Sequence, residues 1–226
     1  MTTKRQIRKL LSPFADRHAD LVFVHDRLFL KPIDHVLVAI WVDRSSSADS
    51  PRPQWSVTHS CNIIWHFPVM WTMSIPSRRD GWRWSEPWLE EHFTEVVEQE
   101  VLPLLKKLRR LEFFASSLSS IFEHDRLQAA MLDDAAVKAA LGLFDAAREV
   151  CETLLSRPTR FAHPFFAGSF ERVTQELYPL LLEDDRSGVA ALLHRWEAAT
   201  IGNFGLEAVW TPSPFPLERA GSVNSG

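Results

Sequence analysis

The pattern of apolar residues is strongest across residues 85–111, where it predicts a long amphipathic helix. Apolar side chains recur there at intervals of three and four, which places them on one face of a helix. They are Leu89, Phe93, Val96, Val97, Val101, Leu104, Leu105, Leu108 and Leu111. Ser85 is expected to cap the first turn, because its hydroxyl can accept a free backbone N–H. Pro103 removes a hydrogen bond inside the helix, so we expect a kink there.

Glu100 interrupts the apolar face of this helix. At about 100° per residue, its side chain projects between Leu89 and Phe93. A carboxylate in that position must find a partner, reach solvent or take up a proton. Two interpretations stay open. In one, Glu100 is a buried carboxylate in a pocket. In the other, the kink rotates this face or Glu100 reaches out to an arginine.

Shorter apolar runs upstream of the helix predict strands. Residues 21–25 and 28–31 flank a turn at Asp26-Arg27 and predict a hairpin. Residues 36–42 are apolar on both faces, which is typical of a strand inside a covered sheet. The segment 43–53 is polar and contains prolines, so it predicts a surface loop.

Residues 55–67 alternate between apolar and polar side chains, which predicts a half-buried antiparallel strand. His59 is the ionisable group on its apolar face, and residues 69–75 are expected to continue the sheet. Because strands precede the long helix, the order favours a helix packed across the apolar face of the sheet. On that layout His59 and Glu100 meet. Their pair serves either as a general base with its orienting acid or as a structural bond.

Cationic and aromatic side chains alternate between the sheet and the helix, in residues 78–84, which we call the Arg/Trp segment. They are Arg78, Arg79, Trp82, Arg83 and Trp84. Such a set can hold a phosphate, a stacked base or an acidic peptide. We favour the structural alternative, in which the Trp rings close the end of the core and the Arg side chains stack on them or pair with nearby Glu.

Residues 3–14 predict a short amphipathic helix at the start of the chain. Its polar side is basic and carries Lys4, Arg5, Arg8 and Lys9. This cluster can contact a partner that bears phosphate groups. We favour the simpler interpretation of a solvated helix face, because charged runs most often have that role.

The second half of the sequence predicts helices. Residues 134–156 give the clearest pattern, with a cap at Asp133 or Asp134. Residues 169–182 and 187–201 predict a helical pair.

Pro179 is expected to interrupt the first helix of that pair, and Gly202 to end the second. The predicted organisation is therefore α+β. An antiparallel sheet with its kinked helix occupies residues 1–112, an all-helical region occupies 113–210, and a loose tail occupies 211–226.

Composition narrows the class of protein. The chain has 226 residues, 46% of them hydrophobic and 24% charged, which is ordinary for a globular protein. Its net charge of -4 argues against a surface that generally seeks nucleic acid. Cys61 and Cys151 stand far apart, so we expect neither a disulfide framework nor a zinc site, and a reducing cytoplasm is favoured. The sequence shows no signal peptide and no apolar run of membrane-spanning length.

Catalytic motifs are absent from the sequence. It contains no Gly-rich phosphate loop, no G-x-S-x-G elbow and no H-E-x-x-H. His and acidic residues do not cluster at metal-ligand spacing, so we expect no metal and no cofactor. A nucleotide-dependent enzyme or a classical hydrolase therefore has little support.

Residues 20–115 resemble an uncharacterised bacterial family. The resemblance is carried by LFLKPIDHVLVAIWV, by WSVTHSCNIIWHF and by WRWSEPWLEEHFTEVVEQEVLPLLKKL, in which Leu102-Pro103 is the most specific part. Members of that family are small α+β proteins known only as a domain of unknown function. The resemblance implies an α+β fold and supplies no catalytic residues.

These observations favour a cytoplasmic bacterial interaction or regulatory protein without catalysis, with another protein as its partner. One alternative is an enzyme or small-ligand-binding protein with a pocket near His59 and Glu100, gated by the Arg/Trp segment. A deep pocket lined by titratable groups would favour that alternative. The other is nucleic-acid binding through the Arg/Trp segment, which a continuous basic groove would favour.

Overall fold

A computed structural model describes the fold of residues 1–44, 48–61, 63, 72–121, 127–156 and 164–219. Two compact units divide the chain. Unit 1 contains the described residues of Met1–Thr58 and Pro68–Arg110, and unit 2 contains those of His59–Phe67 and Leu111–Gly226. The short segment that starts at His59 therefore belongs with the helical unit. The predicted boundary at residue 112 had placed this segment with the sheet. The α+β class is confirmed.

Unit 1 is built on an antiparallel sheet whose strands follow one another in the order β1-β2-β3-β4-β5. The strands are β1 Leu21–Val24, β2 Arg27–Leu30, β3 Val36–Asp43, β4 Arg52–His59 and β5 Thr72–Ser74. β3 is buried on both faces from Val36 to Ile40, as its apolar pattern predicts. β4 is also covered on both faces, because Ser56 and Thr58 are only 0% and 2% exposed. The expectation of a half-exposed strand was therefore wrong.

The strand predicted for residues 55–67 is confirmed only as far as His59. Ser60 and Cys61 form a bend, and most of the rest of that prediction lies outside the described residues. The expected continuation of the sheet is present as β5, which pairs with β4 through Gln54 and Ser74.

The hairpin between β1 and β2 turns at His25-Asp26, one residue earlier than predicted. Val24 lies opposite Arg27, which leaves two residues in the loop. Both have positive φ, 49° at His25 and 63° at Asp26, as a type I′ turn requires. The sequence does not predict this turn, because type I′ turns are usually marked by Asn-Gly or Asp-Gly, and residues 25–26 are neither.

The first helix, α1 Lys4–Arg17, begins with a capping box between Thr3 and Gln6. Its buried face packs on β1, β2 and β3, and Phe14 meets Phe93 edge to face with ring centroids 5.8 Å apart. Such an aromatic pair contributes about 0.5–1.5 kcal/mol beyond its buried area. The contact places α1 beside the long helix.

The long helix begins at Leu89, later than expected, because the hydroxyl of Ser85 donates to Asp49 instead of capping a turn. It consists of α2 Leu89–Val96, a π turn at Val97–Val101 and α3 Leu102–Leu108. In the π turn the N–H of Leu102 bonds the carbonyl of Val97. The wider turn places Pro103 near the start of α3, where its missing N–H is tolerated.

Unit 2 is helical throughout its described secondary structure. Its helices are α4 Leu111–Ile121, α5 Leu127–Ala140, α6 Phe144–Ser156, α7 Pro164–Glu171, α8 Tyr178–Leu182, α9 Arg186–Phe204 and α10 Pro216–Arg219. A second π turn, Arg172–Leu177, joins α7 to α8 just before Pro179. None of the helices in the described ranges is long and apolar enough to cross a bilayer.

Three predictions for unit 2 need correction. The single helix predicted for 134–156 is two helices, because Gly142 adopts a φ of 77° and ends α5. α9 continues through Gly202 and ends at Gly205, where φ is 63°. Residues 211–219 of the expected tail are not loose, because Phe215 and Leu217 are 0% and 2% exposed; the rest of that prediction lies outside the described residues.

Candidate functional site

His59 lies at the end of β4 and is completely buried within unit 2. Its Nε2 is 3.0 Å from Oδ1 of Asp133 on α5, which is close enough for an ion pair. The contact does not meet the geometry of a hydrogen bond. The imidazole also packs 5.9 Å from the ring of Phe114. Asp133 was expected to cap a helix. Because α5 begins earlier, Asp133 lies within that helix, and its carboxylate contacts His59.

Ser60 and Glu197 form a second buried pair. The Ser60 hydroxyl donates to Oε1 of Glu197 at 2.5 Å, and both residues are 0% exposed. A buried carboxylate requires such donors, because removing its charge from water is costly. The sequence offered one signal for this site. Glu197 lies four residues from both Leu193 and Ile201, on a helix face that is buried.

Cys61 follows these two residues and is also completely buried. Burial raises the pKa of its thiol well above the usual value, and the charges of Glu197 and Asp133 raise it further. The thiol is therefore held in its protonated, unreactive form. His59, Ser60 and Glu197 are all closed to solvent, so within the described residues the cluster offers no open surface to a substrate.

Glu100 is not a buried carboxylate. It lies in the π turn, its side chain is 43% exposed, and it accepts from Nε of Arg78 at 2.9 Å. The π turn rotates Glu100 out of the apolar arc, so the arginine interpretation is confirmed and the buried interpretation is wrong. His59 and Glu100 thus have different partners, which corrects the predicted pair. A catalytic role for either residue stays a prediction.

The tryptophans of the Arg/Trp segment have structural contacts. Trp82 is 7% exposed, and its Nε1 donates to the carbonyl of Ile75 at 2.9 Å. Nε1 of Trp84 donates to the Thr2 hydroxyl at 3.1 Å. These rings close the end of the unit 1 core, as the structural alternative expects.

The arginines of the same segment are engaged as well. Arg78 bonds Glu95 at 3.0 Å in addition to Glu100, and the Arg79 guanidinium stacks over Trp88 at 4.7 Å. Arg83 is exposed to solvent. Binding of a ligand here stays a prediction, and it requires these contacts to open.

An open cleft lies elsewhere in unit 1, where α1, the β1–β2 turn and the end of β3 meet. Its volume is about 330 Å³, which falls within the usual range of small-molecule sites. The residues that line it are Lys4, Ile7, His25, Asp26, Arg27, Trp41, Val42 and Arg44. The sequence does not reveal this site, because its cations come from separate elements and form no local motif.

Positive charge predominates in the cleft. The residues that line it include three cations, Lys4, Arg27 and Arg44, and one carboxylate, Asp26. Oδ2 of Asp26 is 3.9 Å from Nζ of Lys4. Burial lowers the pKa of Arg27, and the negative charge of Asp26 partly offsets this by raising it. The guanidinium keeps its charge at neutral pH. Nε of Arg44 is buried and has no hydrogen-bond partner in the described part of the chain.

The backbone holds these side chains in fixed places. Arg27 on β2 lies directly opposite Trp41 on β3, so the two side chains share one face of the sheet. Nε1 of Trp41 donates to the Ser56 hydroxyl at 3.0 Å, which anchors the indole. Lys4 is the first residue of α1, directly after its Thr3 cap.

Two residues of the cleft adopt unfavourable backbone conformations. His25 and Asp26, the turn residues, are not glycines, yet both have positive φ. A left-handed conformation costs an L-residue about 1 kcal/mol or more. Such strain at a cleft favours a functional role for the side chains that the turn presents.

No family model, curated protein or solved structure matches this chain. The resemblance of residues 20–115 to a bacterial family therefore stays a prediction. Within the described ranges, no group of three or more His, Cys, Asp or Glu side chains is placed to hold a metal ion.

Proposed function

We propose that the protein binds a small anionic ligand in the cleft of unit 1. This is the small-ligand alternative of the sequence analysis, with the ligand at the cleft instead of near His59 and Glu100. A protein that binds such a ligand without changing it acts as a sensor or regulator. That role agrees with the class that the sequence favours, a bacterial cytoplasmic interaction or regulatory protein.

The charge of the cleft carries this proposal. Three of the residues that line it are cations and one is a carboxylate, so an anion in the cleft meets more positive than negative charge. An anion about 4 Å from a cation gains roughly 4 kcal/mol at an effective dielectric of 20. Two or three such contacts, less the cost of association, give a Kd between about 1 μM and 1 mM.

Calorimetric titration with inorganic pyrophosphate tests the proposal. Pyrophosphate should bind the wild-type protein, and Arg44→Gln should weaken binding at least tenfold, because Arg44 lines the cleft with a buried, unpaired Nε. Binding should also weaken as salt rises, since the contacts are ionic.

Arg83→Gln is the matched control, because it removes the same charge from an exposed position that does not line the cleft. It should bind like the wild type. If Arg83→Gln loses binding while Arg44→Gln keeps it, the anion binds the Arg/Trp segment and the cleft is the wrong site. Absence of binding to the wild type would refute the proposal altogether.

A further inference from the structure

We infer that the ligand of the cleft is a phosphate monoester that also carries a planar ring, such as a mononucleotide. This inference rests on the proposed function and adds the chemical class of the ligand. It is drawn from three features of the cleft, namely its excess charge, the indole of Trp41 and the carboxylate of Asp26.

The excess charge matches a phosphate monoester. Lys4, Arg27 and Arg44 outnumber Asp26 by two charges. A phosphate monoester carries about −1.5 to −2 at pH 7 and offers three acceptor oxygens, whereas a carboxylate carries only one charge. Guanidinium groups also suit phosphate, because their planar fork bonds two oxygens at once.

The indole of Trp41 provides an apolar surface for a ring. Trp41 is half-buried and lines the cleft. The N–H of its indole already donates to the Ser56 hydroxyl at 3.0 Å. The part of Trp41 left for a ligand is therefore its carbon surface, which stacks with flat rings. Stacking of a base on an aromatic side chain contributes about 1–3 kcal/mol.

Asp26 argues for a ligand with a donor group besides its phosphate. A carboxylate among cations repels an anion, so a purely anionic ligand binds less tightly than one that also carries a donor group. A hydroxyl or amino group on the ligand would instead give Asp26 a hydrogen bond. The strained turn fixes this carboxylate at the cleft. The volume of about 330 Å³ also exceeds what a lone phosphate group fills.

Titration calorimetry at fixed salt tests the inference with adenosine, guanosine, cytidine and uridine 5′-monophosphates, ribose 5-phosphate, inorganic phosphate and adenosine. At least one nucleoside monophosphate should bind ten times more tightly than ribose 5-phosphate. Adenosine, which lacks the phosphate, should bind most weakly. Trp41→Leu should bring the best nucleotide down to the level of ribose 5-phosphate, while Arg44→Gln should weaken both of these phosphate esters alike.

The outcomes separate the two proposals. If ribose 5-phosphate binds as tightly as every nucleotide, the ring does not contribute, and the inference is wrong while the proposed function stands. If no phosphate-bearing probe binds, the proposed function fails and the inference fails with it. The ratio measured on the wild-type protein needs no variant, so it decides the matter even if Trp41→Leu does not fold.

Discussion

The bond between Ser60 and Glu197 shows how one hydroxyl supports a buried charge. Glu197 is 0% exposed and accepts from Ser60 at 2.5 Å. In Ser60→Ala the carboxylate loses this donor while remaining buried. We expect the free energy of unfolding in urea to fall by about 1–3 kcal/mol, the range for removing one partner of a buried hydrogen bond.

Ser156→Ala is the control for this substitution. Its hydroxyl is exposed and donates to the carbonyl of Thr153 at 2.9 Å, so its loss should change stability by less than about 0.5 kcal/mol. Equal effects of the two substitutions would mean that the Ser60 hydroxyl does not stabilise Glu197.

Individual positions were easier to predict from the sequence than their partners. The periodicity places Glu197 on a buried face of α9, but its partner Ser60 lies 137 residues away. An ideal helical angle placed Glu100 within the apolar arc and left its burial open, and the π turn removed it from that face. Partners set by tertiary contacts leave no local pattern in the sequence.

At the scale of elements, the β1–β2 turn combines strain with a place in the cleft. His25 and Asp26 both have positive φ, and Asn-Gly is the dipeptide that a type I′ turn prefers. The double substitution His25→Asn, Asp26→Gly should raise the free energy of unfolding by roughly 1 kcal/mol. It should also weaken binding of the best nucleoside monophosphate, because the carboxylate of Asp26 is gone. Urea unfolding and calorimetry measure the two effects.

Asp184→Gly is the matched control for the turn. Asp184 also has positive φ, 53°, but it belongs to unit 2 and does not line the cleft. Its substitution should stabilise the protein by a similar amount and leave nucleotide binding unchanged. If the turn variant gains no stability, the strain assigned to His25 and Asp26 is not real.

The two prolines inside helices show which part of an interruption the sequence predicts. Pro103 and Pro179 each predict an interruption of the helix. Each lies near the start of the helical segment that follows a π turn. A proline cannot donate to the preceding turn and its ring needs room. The sequence therefore locates the irregularity, but whether the chain kinks or widens depends on the packing around it.

At the scale of the whole molecule, the α+β division was predictable and the exact partition was not. Periods of two and 3.6 residues separate strands from helices along the chain. The piece that begins at His59 leaves the sheet and joins the helical unit, where His59 meets Asp133. That exchange depends on contacts between distant residues. The cleft escaped prediction for the same reason, because Lys4, Arg27 and Arg44 come together only after folding.

Paired carboxylates in both units determine how the molecule responds to acid. A hydrogen bond with Lys106 lowers the pKa of Asp20, and one with His18 lowers that of Glu98, which Arg17 lowers further. In unit 2 the backbone N–H of Gly188 lowers the pKa of Asp185. Each lowered pKa contributes stability that is present above the carboxyl's unfolded pKa and is lost as pH falls through its folded pKa.

Glu98→Gln tests this response, because it keeps the shape of the side chain and removes its charge. Glu98 is 34% exposed on its side chain, so solvent screening limits the loss of stability at pH 7 to less than about 1 kcal/mol. The difference from the wild type should shrink as pH falls below 4.5, the usual pKa of Glu, and through the lowered pKa of Glu98 in the folded protein. Urea unfolding at pH 7, 5 and 3 measures it. A difference that persists unchanged at pH 3 would show that the charge of Glu98 is not its source.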